Sequence, residues 1–487
     1  MDSASGRDGC GSLSARTVVA TERQEAPSGL GRGAAWGIAG VGLEKLVALG
    51  IALYLPRHLS LADYGRYAFL VSYLGFFQAL PDASLEAVTV ARLARVESGA
   101  QALAGGAAFV RLVASLAGAG LGLAVVWLAT ADAQLVRAGA VAAAGLAALA
   151  GNPYRPFLRA RARMARYVVL AGGQGVLAVG LLAVAVRAGG GLLAVFGATS
   201  AAAVGGLALG RWLVGRGAEM AADPRLARSL VVEGWPLAGT ALVLLGGQQL
   251  VQLALLRLHG AEEVALLGAA QRLVEALGLL PRALMLTVLP ALSRAALEKT
   301  RAAEAASVSV RLLVVVLVPP TVLLVLWGEP ILGTVFGASL AAAAPVLRVL
   351  APAGLLGATG IVLTNLLLVL GLQRALFGAT AGAALTMGGL GLVLVRPFGA
   401  VGAAAALVAA LLGGQLVLLA LPGTRGPIRT ALRGVVGPLA LGVLAGGGAA
   451  SFRASLTAGA GLLLVAYPAA LLLTRTVTPA DLRRWRR

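Results

Sequence analysis

The chain has 487 residues, of which 59% are hydrophobic, 12% charged and 67 are glycine, with a mean hydropathy of +0.90, whereas an average soluble protein carries about 25% charge. These figures exclude a soluble globular domain and a disordered chain, because a chain this apolar cannot stay solvated, and a lone cysteine, Cys10, excludes a disulfide scaffold. The net charge of +20 would suit a nucleic-acid binder if the basic residues formed a soluble face, but they recur singly or in short clusters between apolar stretches of about 20 residues, the spacing of loops that join membrane helices.

Residues 1–33 mix Asp2, Asp8, Glu22 and Glu25 with Arg, Ser and Gly and contain no apolar run, which reads as a disordered cytoplasmic tail and not a signal peptide. Runs long enough to cross the hydrocarbon core then occupy 34–55, 67–90, 102–128, 134–151, 167–186 and 191–214. A hydrophilic break at 215–229 follows, with a turn at Asp223-Pro224. Beyond it lie 230–256, 264–290, 309–333, 345–371, 375–395 and 399–421, then a pair at 432–451 and 456–474. The tail 475–487 ends in Arg483, Arg484, Trp485, Arg486 and Arg487, either topogenic or lying against anionic lipid. The runs are too long, and too rich in Leu and Ala without alternation, for barrel strands. The expectation is an all-α polytopic membrane protein of about 14 transmembrane helices (12 to 14). It divides into an N-terminal lobe at 34–214, a cytoplasmic linker at 215–229, a C-terminal lobe at 230–421 and an additional helix pair at 422–474.

With the N-terminus inside, the cytoplasmic segments hold 28 Lys and Arg and the opposite loops 7, a bias that predicts an even number of spans and both termini in the cytoplasm. The remaining five, Lys45, Arg111, Arg272, Arg282 and Arg348, fall inside spans. Loops on both sides are short, so the function sits within the membrane.

Two stretches carry a resemblance. The first runs from Leu55 to Leu70 and contains Arg57, Leu59 and then Asp63-Tyr64-Gly65-Arg66-Tyr67. The second begins at Gln271-Arg272-Leu273-Val274-Glu275 and continues through Pro290 to Arg294, Phe336-Gly337, Ala342 to Leu350 and Phe398 to Ala405. In order and spacing these resemble the polysaccharide (O-antigen type) flippases of the multidrug/oligosaccharidyl-lipid/polysaccharide exporter superfamily, over about residues 34–421. The resemblance implies two six-helix lobes related by a repeat. At an offset of 200, Arg57 and Pro81 recur as Arg257 and Pro281, and Asp63 recurs as Glu263. Secondary transporters commonly bind substrate between such halves.

A charge at the bilayer centre costs about 2.5–3.5 kcal/mol on insertion scales, so each intramembrane charge is a functional candidate. Glu44 and Lys45 either neutralise one another or a neighbouring helix, or Lys45 meets an anionic substrate in a central cavity. Arg272, Glu275 and Arg282 form one helical stripe, read either as a structural salt bridge between the first two or as a cavity lining, with Pro281 beside it as a kink. Gln78, Asp82 and Glu86 share one face of the second span; Asp82 and Glu86, with Glu44 and Glu275, are the candidates for cation or proton coupling. Arg111 and Arg348 form a cationic chamber with Lys45 and Arg282, the cation left in excess where Arg272 pairs with Glu275, or they snorkel to headgroups. Guanidinium groups hold phosphate oxygens through paired hydrogen bonds, as a polyprenyl-diphosphate headgroup requires. Gln248, Gln249 and Gln252 either bind sugar hydroxyls or hydrogen-bond between helices. His58 and His259 fall in outer loops away from Cys10, and no metal site, cofactor or catalytic residue is read.

What the resemblance implies is a bacterial plasma-membrane flippase for a lipid-linked oligosaccharide, in contact with membrane lipids and polysaccharide-assembly proteins and with no nucleic acid. The rivals are a cation-coupled multidrug exporter of the same fold and a membrane glycan polymerase or ligase. The latter is disfavoured by the absence of a large outer loop.

Overall fold

Leu- and Ala-rich runs can satisfy their backbone N–H and C=O groups in hydrocarbon only within a helix, and every described element is helical. The computed structural model describes residues 30–95, 100–161, 163–215, 242, 245–281, 283–285, 299–451 and 456–473. The side chains of Asp82 and Glu86, all of Arg282, the linker beyond Gly215, residues 230–241, the Pro290 to Arg294 motif, residues 1–29 of the N-terminal tail and the whole tail 475–487 lie outside the described residues.

The helices are α1 (Leu30–His58), α2 (Leu61–Arg95), α3 (Ala100–Thr130), α4 (Ala133–Ala150), α5 (Tyr154–Ala160), α6 (Met164–Arg187) and α7 (Leu192–Val214). They continue as α8 (245–259) and α9 (Ala261–Leu277). Next come α10 (Lys299–Phe336), a 3-10 turn (Ala338–Ala343), α11 (Ala344–Leu350), α12 (Pro352–Val369) and α13 (Gln373–Ala420). The last three are α14 (Pro422–Leu432), α15 (Val436–Ala450) and α16 (Leu456–Leu473). Eight helices in the described residues are long and apolar enough to cross a membrane, or nine if the bent pair α14 and α15 forms one span. Large side chains on their outer faces, such as Leu128 at 83% exposed and Trp212 at 74%, have no place on a water-facing surface and fit a lipid one.

One helix conceals two spans. At 48 residues α13 would be about 72 Å long if straight, more than twice the hydrocarbon thickness. It breaks at Gly399 (φ 53°, ψ −130°), two residues after Pro397. A Cβ on Gly414 would stand 3.3 Å from that of Ala383 and 3.6 Å from the Ala379 carbonyl, an approach that needs the arms before and after Gly399 to run antiparallel. The expected spans 375–395 and 399–421 are therefore the two arms of a helical hairpin.

A second difference lies at the segment expected to be an arginine-rich loop after span 134–151. The chain turns at Gly151, Asn152 and Pro153, where Asn152 accepts the Tyr154 N–H at 3.0 Å, and resumes as α5 with Phe157 and Leu158 buried. Pro153 fixes its own φ and starts the new helix, so the loop becomes a structural element.

Helix α6 packs on α1 and α7, α4 on α7, and α3 on both α2 and α4, while α2 also lies along α9. Helix α10 packs against α12, α14 and α15. The C-terminal pair is fastened to α10 by Trp327, which is buried with Ala449 and Leu463. Tyr467 is likewise buried, with its hydroxyl 3.4 Å from the Pro438 carbonyl. The main apolar core runs through α2, α9, α11 and α13, so the region around α2 and α9 is the centre of the packing.

Candidate functional site

The Asp-Tyr-Gly-Arg-Tyr segment opens α2. Ser60 caps the helix by accepting the Asp63 N–H at 3.1 Å and donates its hydroxyl to Asp63 at 3.0 Å, a reciprocal arrangement that ties the first turn. Arg66 bridges Asp63 at 3.2 Å and Asp132, which caps α4, at 3.5 Å. Gly65 is where α2 meets α9: a Cβ there would overlap the Ala261 carbonyl. Tyr64 is buried one residue before it, and Tyr67, three residues after Tyr64, stacks at 5.4 Å on Phe196 of α7. The segment thus brings α2, α7 and α9 together over one short stretch of sequence.

Beside this contact, between α2, α8 and α9, is a cavity of ≈ 310 Å³. Its polar lining is Ser72 from α2, Gln248 and Gln252 from α8, and Gln271, Arg272 and Glu275 from α9. Val71, Val264 and Leu267 supply apolar wall. Gln248 and Gln252 are four apart and Arg272 and Glu275 three apart, so each pair shares a helix face and the two faces meet across the cavity. Gln252 is buried, and its side-chain oxygen has no hydrogen-bond donor among the described residues. The site therefore offers a guanidinium for an anion, amides and a hydroxyl for neutral polar groups, and a single carboxylate.

Four of the residues named from sequence, Gln248, Gln252, Arg272 and Glu275, are brought together here. Gln249 is buried on a different face of α8 and does not line the cavity. Lys45 is exposed on α1, Arg111 half-buried on α3 and Arg348 exposed on α11, and none of the three lines it. Glu44 meets a neighbouring element and not Lys45: it pairs with Arg155 of α5 at 3.4 Å and accepts the Tyr167 hydroxyl of α6 at 3.1 Å. Arg155 also donates to Gln174 at 3.0 Å, so an arginine counted as a topological loop charge fastens α1, α5 and α6.

Ser72, Gln271, Tyr67 and His259 were not among the sequence candidates. Gln271 adjoins Arg272 in the resemblance motif and could have been found from it. Ser72 interrupts an apolar stretch of α2, a weak signal. His259 of α8 donates its Nε2 hydrogen to the Val395 carbonyl at 2.8 Å, and Glu263 accepts the Ala400 N–H at 2.8 Å, so the α8–α9 corner grips the α13 hairpin on both sides of Gly399. A Cβ on Gly399 would stand 2.8 Å from that Glu263 oxygen, and its positive φ disfavours any other residue.

Several solved structures share this fold. The lipid II flippase MurJ in an inward closed conformation superposes with a TM-score of 0.71 at 10% identity, over 91% of this chain and 99% of that chain. A multidrug resistance MATE family transporter of the MOP superfamily, inward-facing, gives 0.61 at 14% identity over 81% and 99%. An outward-facing MATE structure gives 0.50 at 16% identity over 83% and 96%. The protein is thus a multi-pass membrane protein with the fold of these transporters. No curated protein matches the chain. The family model described as polysaccharide biosynthesis protein matches residues 30–296, which takes in both α2 and the cavity-lining turns of α9, and the chain belongs to that polysaccharide biosynthesis protein family.

Proposed function

We propose that the protein is a flippase that moves a lipid-linked oligosaccharide, carried on a polyprenyl diphosphate, across the bacterial plasma membrane by alternating access for cell-surface polysaccharide assembly. The observation that carries this reading is the cavity between α2, α8 and α9. Arg272 suits a phosphate oxygen, and Ser72, Gln248, Gln252 and Gln271 suit sugar hydroxyls. The volume is at the lower end for ligand pockets, so it takes a headgroup while the prenyl chain stays in lipid. Family membership supports the pathway, and the fold shared with a lipid II flippase supports the substrate class.

In this reading Lys45, Arg111, Arg282 and Arg348 are the cations offered to the diphosphate along the rest of the path. Asp82, Glu86 and Glu275 are the coupling carboxylates, whereas Glu44 has a positioning role through Arg155. Both termini are cytoplasmic, and the two lobes rock about the α2–α9 contact.

Glu275 in the cavity favours a second reading, a cation-coupled multidrug exporter. Proteoliposomes separate the two. Wild-type protein is expected to expose a fluorescent polyprenyl-diphosphate oligosaccharide to the outer leaflet and to leave a cationic dye in place. Extrusion of the dye without movement of the lipid-linked sugar would reverse the assignment.

A further inference from the structure

A second groove lies away from the polar cavity, between the end of α3, α8 and the first arm of α13, on the side that the charge bias assigns to the outside. It measures ≈ 530 Å³. Leu250, Leu253, Leu258 and Leu392 form its walls, Arg257 and Arg396 are its two charged residues, and no acidic residue lines it. Leu250 is 55% exposed, Leu258 51% and Leu392 41%, so the groove opens sideways onto the surface that faces lipid.

Both arginines are exposed, and neither makes an ion pair or hydrogen bond through its side chain with any other described residue. The nearby carboxylate of Asp132, in a neighbouring cavity that Arg257 also borders, is engaged by Arg66 and by two backbone N–H groups of α4. Glu263, on the adjoining turn, is engaged by Ala400. Among the described residues, two guanidiniums without a counter-charge therefore flank an apolar wall.

Their relative placement is fixed by the backbone. His259, two residues after Arg257, hydrogen-bonds the Val395 carbonyl at 2.8 Å and lies 3.2 Å from that of Arg396. Pro397 and the Gly399 turn then hold the end of the arm. The repeat counterpart, Arg57, makes the contrast: its guanidinium donates to the Thr334 carbonyl of α10.

We propose that Arg257 and Arg396 clamp the phosphate of an anionic membrane phospholipid whose acyl chain lies along Leu250, Leu253 and Leu392. Guanidinium forks match phosphate oxygens in geometry and charge, and the leucines match the chain, so one amphipathic ligand satisfies both halves of the groove. The bound lipid bridges α8 and α13 across the hairpin corner. Nothing in this site depends on what the polar cavity transports.

Full-length protein in phosphatidylcholine nanodiscs doped with phosphatidylglycerol tests the site by native mass spectrometry of retained lipid. Wild type is expected to retain phosphatidylglycerol in preference to phosphatidylcholine. The Arg257→Gln/Arg396→Gln double variant should lose that retention by about tenfold, and Arg257→Lys/Arg396→Lys should fall between. Photoreactive phosphatidylglycerol should label peptides spanning 250–258 and 392–396 in the wild type, which reads the site without any substitution. Equal retention of the two lipids by wild type, undiminished retention by the Gln variant, or labelling confined to other helices would overturn the proposal.

Discussion

The corner between α1 and α2 and the corner between α8 and α9 occupy equivalent places in the 200-residue repeat, yet they solve the same problem with different atoms. At the first, Ser60 and Asp63 close the turn within α2 itself, and Arg57 ties α1 to the Thr334 carbonyl of α10. At the second, Gly260 turns the chain at φ 87°, and the polar residues reach outward: His259 to Val395 and Glu263 to Ala400 of α13. The acidic residue shared by the two repeats therefore stays within the first turn of its own helix in one half, held by Ser60 and Arg66, and braces a distant hairpin in the other. The two corners meet where Gly65 lies on Ala261, and the polar cavity opens beside that meeting point. Equivalence in sequence preserved the position of charge while the partner changed: Arg57 has the Thr334 carbonyl, and Arg257 has no side-chain partner among the described residues.

The largest expected effect falls on the shared contact. Gly65→Leu drives a side chain into the Ala261 backbone, which cannot move aside as a flexible side chain would, and should destabilise the protein by about 3 kcal/mol. A large drop in the thermal unfolding midpoint in detergent, with loss of flipping, checks it. An unchanged midpoint would show that α2 does not rest on α9 as described.

Next is the brace at the second corner. Glu263→Ala removes a charge-assisted bond to Ala400 and leaves a buried N–H without its acceptor, a loss of about 2 kcal/mol. Glu263→Gln keeps an oxygen and should recover more than half of it. The same unfolding assay ranks the three proteins, and a Gln variant as weak as the Ala variant would remove the hydrogen bond from the explanation.

The first corner should be less sensitive. Ser60→Ala deletes a helix cap worth about 1 kcal/mol, read as a modest fall in midpoint, while Ser60→Asp should retain most of the stability. Smallest of all is Arg57→Gln. The bond it loses is exposed, and a shift of about 0.5 kcal/mol is expected, near the limit of the assay. If Arg57→Gln proved costlier than Glu263→Ala, the contrast between the two corners would be reversed.

Much of the helical layout was legible because hydrophobic runs and breakers are local signals. Arg396, Pro397 and Gly399 separate spans 375–395 and 399–421 in the sequence, and the hairpin breaks there. The structured α5 was not legible, since its seven residues are too short for a periodic pattern and its arginines resemble those of any cytoplasmic loop. For the site, helical spacing placed Arg272 with Glu275, and the two line the cavity with Gln248 and Gln252, which the sequence marks with Gln249 only as glutamines of one span. Spacing fixes the face of one helix and not the rotation of that helix against its neighbours, so it could not say which of the cations inside spans meet, and the cavity is lined by Arg272 without Lys45 or Arg348. The partner of Glu44 was likewise hidden, because Arg155 lies over a hundred residues away in sequence and only the packing of α1 on α6 brings it close.

The account depends most on Arg272 as the cation that meets the diphosphate within an amide-rich cavity. The direct measurement is the initial rate at which a fluorescent polyprenyl-diphosphate oligosaccharide crosses proteoliposomes containing wild type, Arg272→Gln or Arg272→Lys, with thermal midpoints recorded alongside. Loss of a charge-assisted phosphate contact predicts a rate about 30-fold lower for Arg272→Gln, partial activity for Arg272→Lys, and midpoints close to wild type. Wild-type rates in a folded Arg272→Gln protein would contradict the claim that this cavity holds the transported headgroup.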